Sequence, residues 1–208
     1  MNVAIFGATG TTGQIVVREA LERGHKVTAL VRNPDKLRAD DVNLTIITGD
    51  VLDPEAVEKT VIGQDGVIAV LGAGIRRTTL RTDGNRNIVE AMHRQGVRRL
   101  VSMSIFGLGD SAKKLPLLWK VLIKPVLLRN AYRDHAGQEA VVAASDLDWT
   151  LTRPVSLRDV EATGHYQDGP AAAMDKITLK IGLIDFARFT LDQLESEKYL
   201  QRRPGISY

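Results

Sequence analysis

The sequence predicts an α/β fold with a doubly wound parallel sheet and a small C-terminal segment. Apolar runs of strand length alternate with helical patterns through residues 1–154, and a glycine-rich turn joins the first run to the first helix. The runs are apolar almost throughout, as expected for parallel strands that helices cover on both faces. We expect a single domain over residues 1–208, with its core in 1–154 and the smaller segment in 155–208.

Each predicted element follows from its local pattern. Val3–Phe6 is an uninterrupted apolar strand, and Gln14–Leu21 has apolar residues at helical spacing before Gly24 ends the helix. The further runs predicted as strands are Lys26–Val31, Leu44–Thr48, Gly66–Leu71, Arg98–Ser104 and Trp149–Thr152. The helices predicted between them are Pro54–Val61, with proline in its first turn, and Asn85–Arg94, which Gly96 ends.

The turn after the first strand has glycine at Gly7, Gly10 and Gly13. Between a strand and a helix, this spacing is typical of a Rossmann-type site for the pyrophosphate of a dinucleotide. Glycine lets the backbone approach the phosphates, and the first N–H groups of the helix meet their charge. A glycine-rich turn without a ligand is the alternative, but the strand–turn–helix context favours the dinucleotide site.

The end of the second strand is where this fold meets the adenosine ribose. An acidic residue there favours NAD, whereas this chain has Arg32, whose guanidinium can hold the 2′-phosphate of NADP in a bidentate fork. The alternative is an arginine that only faces solvent. We therefore predict NADP(H) as the cofactor.

The composition limits the possible functions. The chain has no cysteine, and its four histidines lack zinc-ligand spacing, so we predict neither thiol catalysis nor a metal site. It has no run of about 18 uncharged apolar residues, and the first strand starts at the beginning of the chain. We therefore expect no membrane span, no signal peptide and a cytoplasmic location. A net charge of +3 favours an anionic ligand without indicating nucleic acid.

Several motifs together resemble those of the atypical short-chain dehydrogenase/reductases with an NmrA-like, NAD(P)-binding fold. They are the glycine turn, Val31-Arg32-Asn33, Gly49-Asp50-Val51 and the block Leu147-Asp148-Trp149-Thr150 followed by Arg153-Pro154. Over about residues 1–160, the chain is similar to the flavin and biliverdin reductases of that family. The resemblance implies a Rossmann domain that binds NADP(H) and passes a hydride to a small-molecule electron acceptor.

The resemblance also implies which residues form the site. Those expected at the cofactor are Gly7, Thr9, Gly10, Thr11, Thr12, Gly13, Arg32, Asp50, Val51, Leu71, Gly72, Ala73, Ser104, Pro154, Val155 and Ser156. Of these, Ser104 would lie near the nicotinamide, and Pro154–Ser156 would border its carboxamide. Ser104 and His135 are the implied catalytic residues.

The chain differs from the family at the residues that transfer protons to or from the substrate. The wider superfamily uses a tyrosine with a lysine four residues later, but no tyrosine here has a lysine at that spacing, and the serine expected after the fifth strand is Ile105. Alcohol–ketone redox chemistry and sugar-nucleotide epimerisation are therefore disfavoured. Two classes remain open: an NADPH-dependent reductase of a flavin, quinone or conjugated tetrapyrrole, and a non-catalytic NADP(H)-binding sensor of the NmrA type.

Residues 111–133 form a basic insertion that contains no acidic residue. Its cations are Lys113, Lys114, Lys120, Lys124, Arg129 and Arg133, interleaved with leucine, isoleucine and valine. Three interpretations remain open: a lid on the substrate pocket, a contact of residues 113–133 with an anionic membrane or partner, and a helix that packs its leucines on the core. Pro125 is expected to break or kink this helix.

A second basic cluster, Arg76, Arg77 and Arg81, follows the fourth strand. We expect it on a loop, where it either meets phosphates or an acidic substrate or simply faces solvent.

Overall fold

The computed structural model describes residues 1–74, 76–175 and 177–208, and it confirms the predicted α/β fold with a doubly wound, mostly parallel sheet. The strands are β1 (Asn2–Phe6), β2 (Lys26–Val31), β3 (Leu44–Thr48), β4 (Gly66–Ala69), β5 (Arg99–Met103), β6 (Asp148–Pro154), β7 (Ser156–Arg158), β8 (Gln167–Gly169), β9 (Lys180–Gly182) and β10 (Gly205–Ser207). The main sheet has the order β3–β2–β1–β4–β5–β6–β10–β8, and β7 pairs with β9 separately.

The strand order reverses at β1, which pairs in parallel with β2 on one side and with β4 on the other. In open α/β sheets, ligands bind beyond the carboxyl ends of the strands at such a reversal. Gly7 follows β1 directly, and Val70 and Leu71 follow β4. The predicted glycine turn therefore lies where this fold places its ligand.

Helices cover both faces of the sheet. They are α1 (Thr11–Glu22), α2 (Pro54–Val61), α3 (Leu80–Gln95), α4 (Arg129–Ala143) and α5 (Leu183–Glu195). Successive residues of β1 point to opposite faces: Ala4 and Phe6 are buried with residues of α2, α3 and α4, whereas Val3 and Ile5 are buried with residues of α1 and α5. Burial on both faces is the reason why these strands lack polar alternation.

The C-terminal residues are built into the sheet more closely than a division at residue 154 implies. β10 pairs in parallel with β6, and α5 packs beside α1, with Leu191 in the same apolar cluster as Val16. A separate cluster around β7 and β9 joins Ile181 and Phe186 to Phe106. The chain after β6 therefore completes one face of the core as well as forming the smaller segment.

α3 begins at Leu80, five residues before the predicted start at Asn85. The reason is a carboxylate from another helix: Asp134 of α4 accepts hydrogen bonds from the backbone N–H groups of Arg81 at 3.1 Å and Thr82 at 3.0 Å. A carboxylate that satisfies first-turn donors stabilises a helix N-terminus. The sequence around Leu80 does not carry this information.

The basic insertion lies after β5 and runs into the first turn of α4. It forms a 3₁₀ turn, Gly109–Lys114, and a π-helical segment, Trp119–Leu127, that continues through Pro125. Proline has no N–H to donate, so the segment lacks one backbone hydrogen bond at Pro125. None of the helices within the described residues has the length and apolar composition needed to cross a membrane.

Candidate functional site

The glycines of the turn after β1 are required by geometry. Gly7 has a φ of +85°, and a Cβ there would lie 2.5 Å from the carbonyl oxygen of Val70. A Cβ on Gly13 would collide with the carbonyl oxygen of Gly7, so the third glycine lets α1 pack closely against the turn. A larger residue at either position would push α1 away from β1 and β4.

The start of α1 is suited to an anion. Gly10 is the N-terminal cap, and it has no side chain that could accept from the first-turn N–H groups. The first backbone bond of the helix runs from the Gln14 N–H to the Gly10 carbonyl oxygen at 2.9 Å. The N–H groups of Thr11, Thr12 and Gly13 precede it, and such first-turn donors need a partner from outside the helix.

A cavity of about 630 Å³ opens beside this turn, across the carboxyl ends of β1, β2 and β4. It is lined by Phe6, Gly7, Thr9, Gly10, Leu30, Val31, Arg32, Asn33, Lys36, Gly49, Asp50, Val51, Leu71, Gly72 and Leu80. Eight residues predicted at the cofactor are among them, and Thr11, Thr12, Gly13 and Ala73 are not. The structure thus brings together residues that are up to 74 positions apart in the chain, between Phe6 and Leu80.

Two cations and one carboxylate lie at the outer end of this cavity. The Arg32 side chain is 74% exposed, and its Nη1 lies 3.9 Å from Oδ2 of Asp50, too far for a hydrogen bond. The side chain of Asn33 accepts from the Asp35 N–H and starts a short turn that brings Lys36 to the same cavity. Lys36 was not among the residues predicted at the cofactor, although it follows Arg32 by only four positions in the sequence.

A second cavity, of about 120 Å³, lies beyond β5 and β6. Its lining is Ile105, Phe106, Leu115, Trp119, Leu128, Tyr132, Pro154, Val155, Ser156 and Leu179. It therefore contains the three residues expected at the carboxamide, and it is roofed by Leu115, Trp119 and Leu128 of the insertion. The lining has no acidic residue, histidine or lysine. Tyr132 is its main polar group, but the Tyr132 hydroxyl donates to the Phe106 carbonyl oxygen at 2.8 Å, and burial raises the pKa of Tyr132 to about 12.

Ser104 lies behind these cavities in a buried charged network and lines neither of them. Its Oγ donates to Oε1 of Glu139 at 2.6 Å. The same carboxylate accepts from Nε of Arg153 at 2.8 Å and from Nη2 at 2.6 Å, and Arg153 also donates to Asp110. Burial lowers the pKa of Arg153, but the hydrogen bonds and charges of Glu139 and Asp110 outweigh it and raise the pKa overall. Glu139 was not among the predicted site residues, because an acidic residue on a helix is by itself no signal of such a network.

His135 is also buried, and its tautomer follows from the groups around it. Nε2 of Gln138 donates to the Met103 carbonyl oxygen at 2.8 Å, so Oε1 of Gln138 faces Nδ1 of His135, at 3.0 Å. Nδ1 of His135 must therefore carry the proton, which leaves Nε2 as an acceptor. Burial, followed by the charge of Arg81, lowers the pKa of His135 to about 4. His135 is thus neutral at neutral pH and has no proton free to give.

The second basic cluster is divided by the structure. Arg76 and Arg77 are exposed, but Arg81 lies in α3 and is buried, with Nη1 3.3 Å from Oδ2 of Asp134. The expectation that Arg81 lies on a loop and meets an anion or solvent is therefore wrong. Its guanidinium is held by a carboxylate of α4, because the early start of α3 turns it inward.

Comparison with known proteins agrees with this geometry. A family model described as NAD(P)H-binding matches residues 7–197. The uncharacterised protein YwnB of Bacillus subtilis is 27% identical over 98% of this chain and 96% of its own length. The 3-diazoavenalumate denitrifying reductase of a Streptomyces species is 31% identical over 83% of this chain, which spans 61% of that protein.

Among solved structures, a short-chain dehydrogenase/reductase from Veillonella parvula in complex with NADP aligns with a TM-score of 0.82. It is 19% identical, and the alignment covers 100% of this chain and 94% of that one. At this identity the likeness establishes the fold.

Proposed function

This chain belongs to the NAD(P)H-binding family whose model matches residues 7–197, and from that premise we propose that it is an NADPH-dependent reductase of an electron-poor ring. The acceptor class is a flavin, a quinone or a conjugated tetrapyrrole. The observation that carries the proposal is the pair of cavities: a large one around the glycine turn, and a small apolar one at the end of β6 whose lining has no acidic residue, histidine or lysine.

The residues of the larger cavity fit a dinucleotide. Gly7 and Gly10 have no side chain to hold a ligand away from the backbone, and together with the N–H groups of Thr11 and Thr12 at the adjoining start of α1 they suit a pyrophosphate. Arg32 and Lys36 suit the 2′-phosphate that distinguishes NADP from NAD. Asp50 and Val51 would flank the adenine, Leu71 to Ala73 would pass beneath the adenosine, and Pro154 to Ser156 would border the carboxamide.

The acceptor would enter the apolar cavity. When bound, NADPH supplies a hydride to the acceptor ring, and the accompanying proton comes from solvent. A closed cavity of about 150 Å³ is enough for benzene, so 120 Å³ is too small for a bicyclic or larger ring. The roof residues Trp119 and Leu128 therefore have to move outward, which makes the insertion a lid on the acceptor site.

The protein contributes orientation and exclusion of water rather than an acid. The hydroxyl proton of Ser104 is committed to Glu139, the phenol proton of Tyr132 to a carbonyl, and the Nδ1 proton of His135 to Gln138. None of these three groups is placed to protonate a product without losing an existing hydrogen bond. An acceptor whose reduced form takes its proton from water suits such a site.

The Streptomyces relative is named a reductase, which supports redox chemistry for this chain. The substrate in that name is a property of the relative and is not proposed for this chain. The test is oxidation of NADPH by the purified chain with a panel of acceptors: FMN, FAD, several quinones and a conjugated tetrapyrrole. The reaction is measured by the loss of absorbance of the reduced nicotinamide. Gly7→Val serves as a matched control that should abolish cofactor binding, because its side chain would collide with Val70. We expect turnover with at least one acceptor and none with the control.

A non-catalytic NADP(H)-binding sensor is the second candidate. The observation that favours it is that Ser104 and His135 line neither cavity, while the family's tyrosine–lysine pair is absent. Tight NADPH binding without turnover of any acceptor in the panel would favour the sensor and contradict the reductase.

A further inference from the structure

The insertion carries a concentrated exposed apolar surface. Leu117, Leu118, Val121, Leu122, Val126 and Leu127 are each between 49% and 73% exposed. We call this set the apolar face. The other exposed large apolar side chains among the described residues, such as Val42, Ile62 and Val160, are scattered over the molecule. Scattered exposed apolar residues are ordinary, whereas a contiguous set marks a surface that contacts something.

The apolar face does not consist of side chains that would be buried in the core if the segment packed more closely. The opposite side of the segment is anchored: Trp119 packs against the cluster of Phe106 and Ile181, and Nζ of Lys124 donates to the Gly107 carbonyl oxygen at 2.8 Å. The expectation that the leucines pack on the core therefore holds only for the inner side. The segment has two apolar sides, and only one of them has a partner within the chain.

Basic side chains surround the apolar face without compensating carboxylates. The insertion has six cations and no acid between residues 111 and 133. None of these cations takes part in an ion pair among the described residues. Lys114, Lys120 and Lys124 donate instead to backbone carbonyl oxygens. The exposed cations Lys113, Lys120, Arg129 and Arg133 therefore remain available to an anionic surface.

Four of these cations converge at one end of the face. Lys120, Lys124, Arg129 and Arg133 line a shallow groove of about 390 Å³, together with Pro125 and Tyr132. A groove with four cations and no acidic residue suits phosphate groups. Because the groove adjoins the exposed side chains of Val126 and Leu127, an anion there would lie at the border of an apolar medium.

We infer that residues 117–133 form a peripheral membrane-docking surface for anionic phospholipid. The apolar face lies in the boundary between headgroups and acyl chains, and the surrounding lysines and arginines contact lipid phosphates. A second copy of this chain is a poor occupant, since two such faces would bring two uncompensated basic sets together.

The test is co-sedimentation of the full chain with vesicles of phosphatidylcholine alone and of phosphatidylcholine mixed in equal parts with phosphatidylglycerol. We expect binding to the mixed vesicles at low salt, at least about tenfold weaker binding to neutral vesicles, and release at high salt. Equal binding to both vesicle types, or no binding to either, would overturn the inference.

Two pairs of variants locate the surface. Val121→Glu with Leu122→Glu should abolish vesicle binding, whereas the matched pair Val42→Glu with Ile62→Glu, at exposed apolar positions elsewhere, should leave it unchanged. Arg129→Glu with Arg133→Glu should likewise abolish binding, whereas Lys26→Glu with Lys59→Glu should weaken it far less. Thermal unfolding and NADPH titration of each variant show that the fold is retained.

Other occupants give distinct results. If the wild type is a dimer by light scattering and the Val121→Glu, Leu122→Glu variant is a monomer, and neither binds vesicles, the apolar face is a homodimer interface and the inference fails. If the wild type binds a soluble polyglutamate peptide but not the mixed vesicles, the surface takes an acidic protein instead, and the inference also fails.

Discussion

Replacing Arg32 by aspartate tests the cofactor preference directly. Arg32 lines the larger cavity, and its closest carboxylate among the described residues, Asp50, is 3.9 Å away and forms no hydrogen bond with it. The guanidinium is therefore free to hold a 2′-phosphate with two N–H groups. Arg32→Asp removes those donors and places a second negative charge beside Asp50.

The size of the effect follows from the exposure of Arg32. A hydrogen bond to a charged group contributes about 1.5–3 kcal/mol of binding free energy. Because the Arg32 side chain is 74% exposed, solvent screening reduces its contribution to the lower part of that range. We expect the wild type to bind NADPH at least about tenfold more tightly than NADH, which corresponds to about 1.4 kcal/mol. Arg32→Asp should remove this preference, and Lys36→Ala should reduce it.

The assay is titration of both nucleotides against each variant by calorimetry at low and at high salt. Lys26→Asp is the matched control, because Lys26 is an exposed cation at the opposite end of the same strand, β2. Its preference for NADPH should equal that of the wild type. The preference of the wild type should shrink as salt rises, since exposed charges are screened.

Equal affinities of the wild type for NADPH and NADH would refute the reasoning. An unchanged preference in Arg32→Asp would also contradict it, and would show that the 2′-phosphate lies elsewhere.

Four further predictions follow from the network and the lid. Trp119→Ala should raise the KM for the acceptor and leave NADPH affinity nearly unchanged; a reversed pattern would contradict the lid. Ser104→Ala and His135→Ala should each lower kcat less than about tenfold, whereas a fall beyond about a hundredfold at intact NADPH affinity would reveal an essential proton donor. Glu139→Gln should destabilise the fold by about 3 kcal/mol in denaturant unfolding, because it removes the buried carboxylate of Arg153 and leaves its guanidinium only the exposed carboxylate of Asp110; the control Asp110→Asn, at that exposed partner, should cost less than about 1 kcal/mol. The pKa of His135 is lowered from 6.5 in the unfolded chain to about 4 in the folded protein. Between pH 6.5 and pH 4, the unfolded chain therefore binds a proton at His135 that the folded protein does not bind. Stability should therefore drop over that window by up to about 3 kcal/mol, and a His135→Asn variant with the same slope would contradict the assignment.

Local pattern was enough for much of the fold and for the inner part of the site. The strands β2 and β3 and the helix α2 have the predicted bounds, because apolar runs and proline or aspartate at a helix start act within a few residues. The glycine turn was readable for the same reason. Gly7 and Gly13 are required by a backbone conformation and a close contact that recur in every turn of this type.

Tertiary structure decided what depends on residues far apart in the chain. Asp134 sets the start of α3 and turns Arg81 inward, and neither effect can be read near residue 80. Glu139 becomes the centre of a charged network only because β5, β6 and α4 bring Ser104 and Arg153 to it. A buried charge is stable only when it is paired with an opposite charge or hydrogen-bonded, and the fold determines which group lies close enough to be its partner.

The insertion shows the same division. The sequence alone determined that residues 111–133 are basic, apolar and free of acidic residues, and therefore which kinds of surface they can meet. Only the folded chain decided that Trp119 and Leu128 line the smaller cavity while Leu117 and Val126 face outward. The physical reason is that the hydrophobic effect favours burial of an apolar side chain but does not specify where it is buried. The elements against which the segment packs determine which of its side chains face inward.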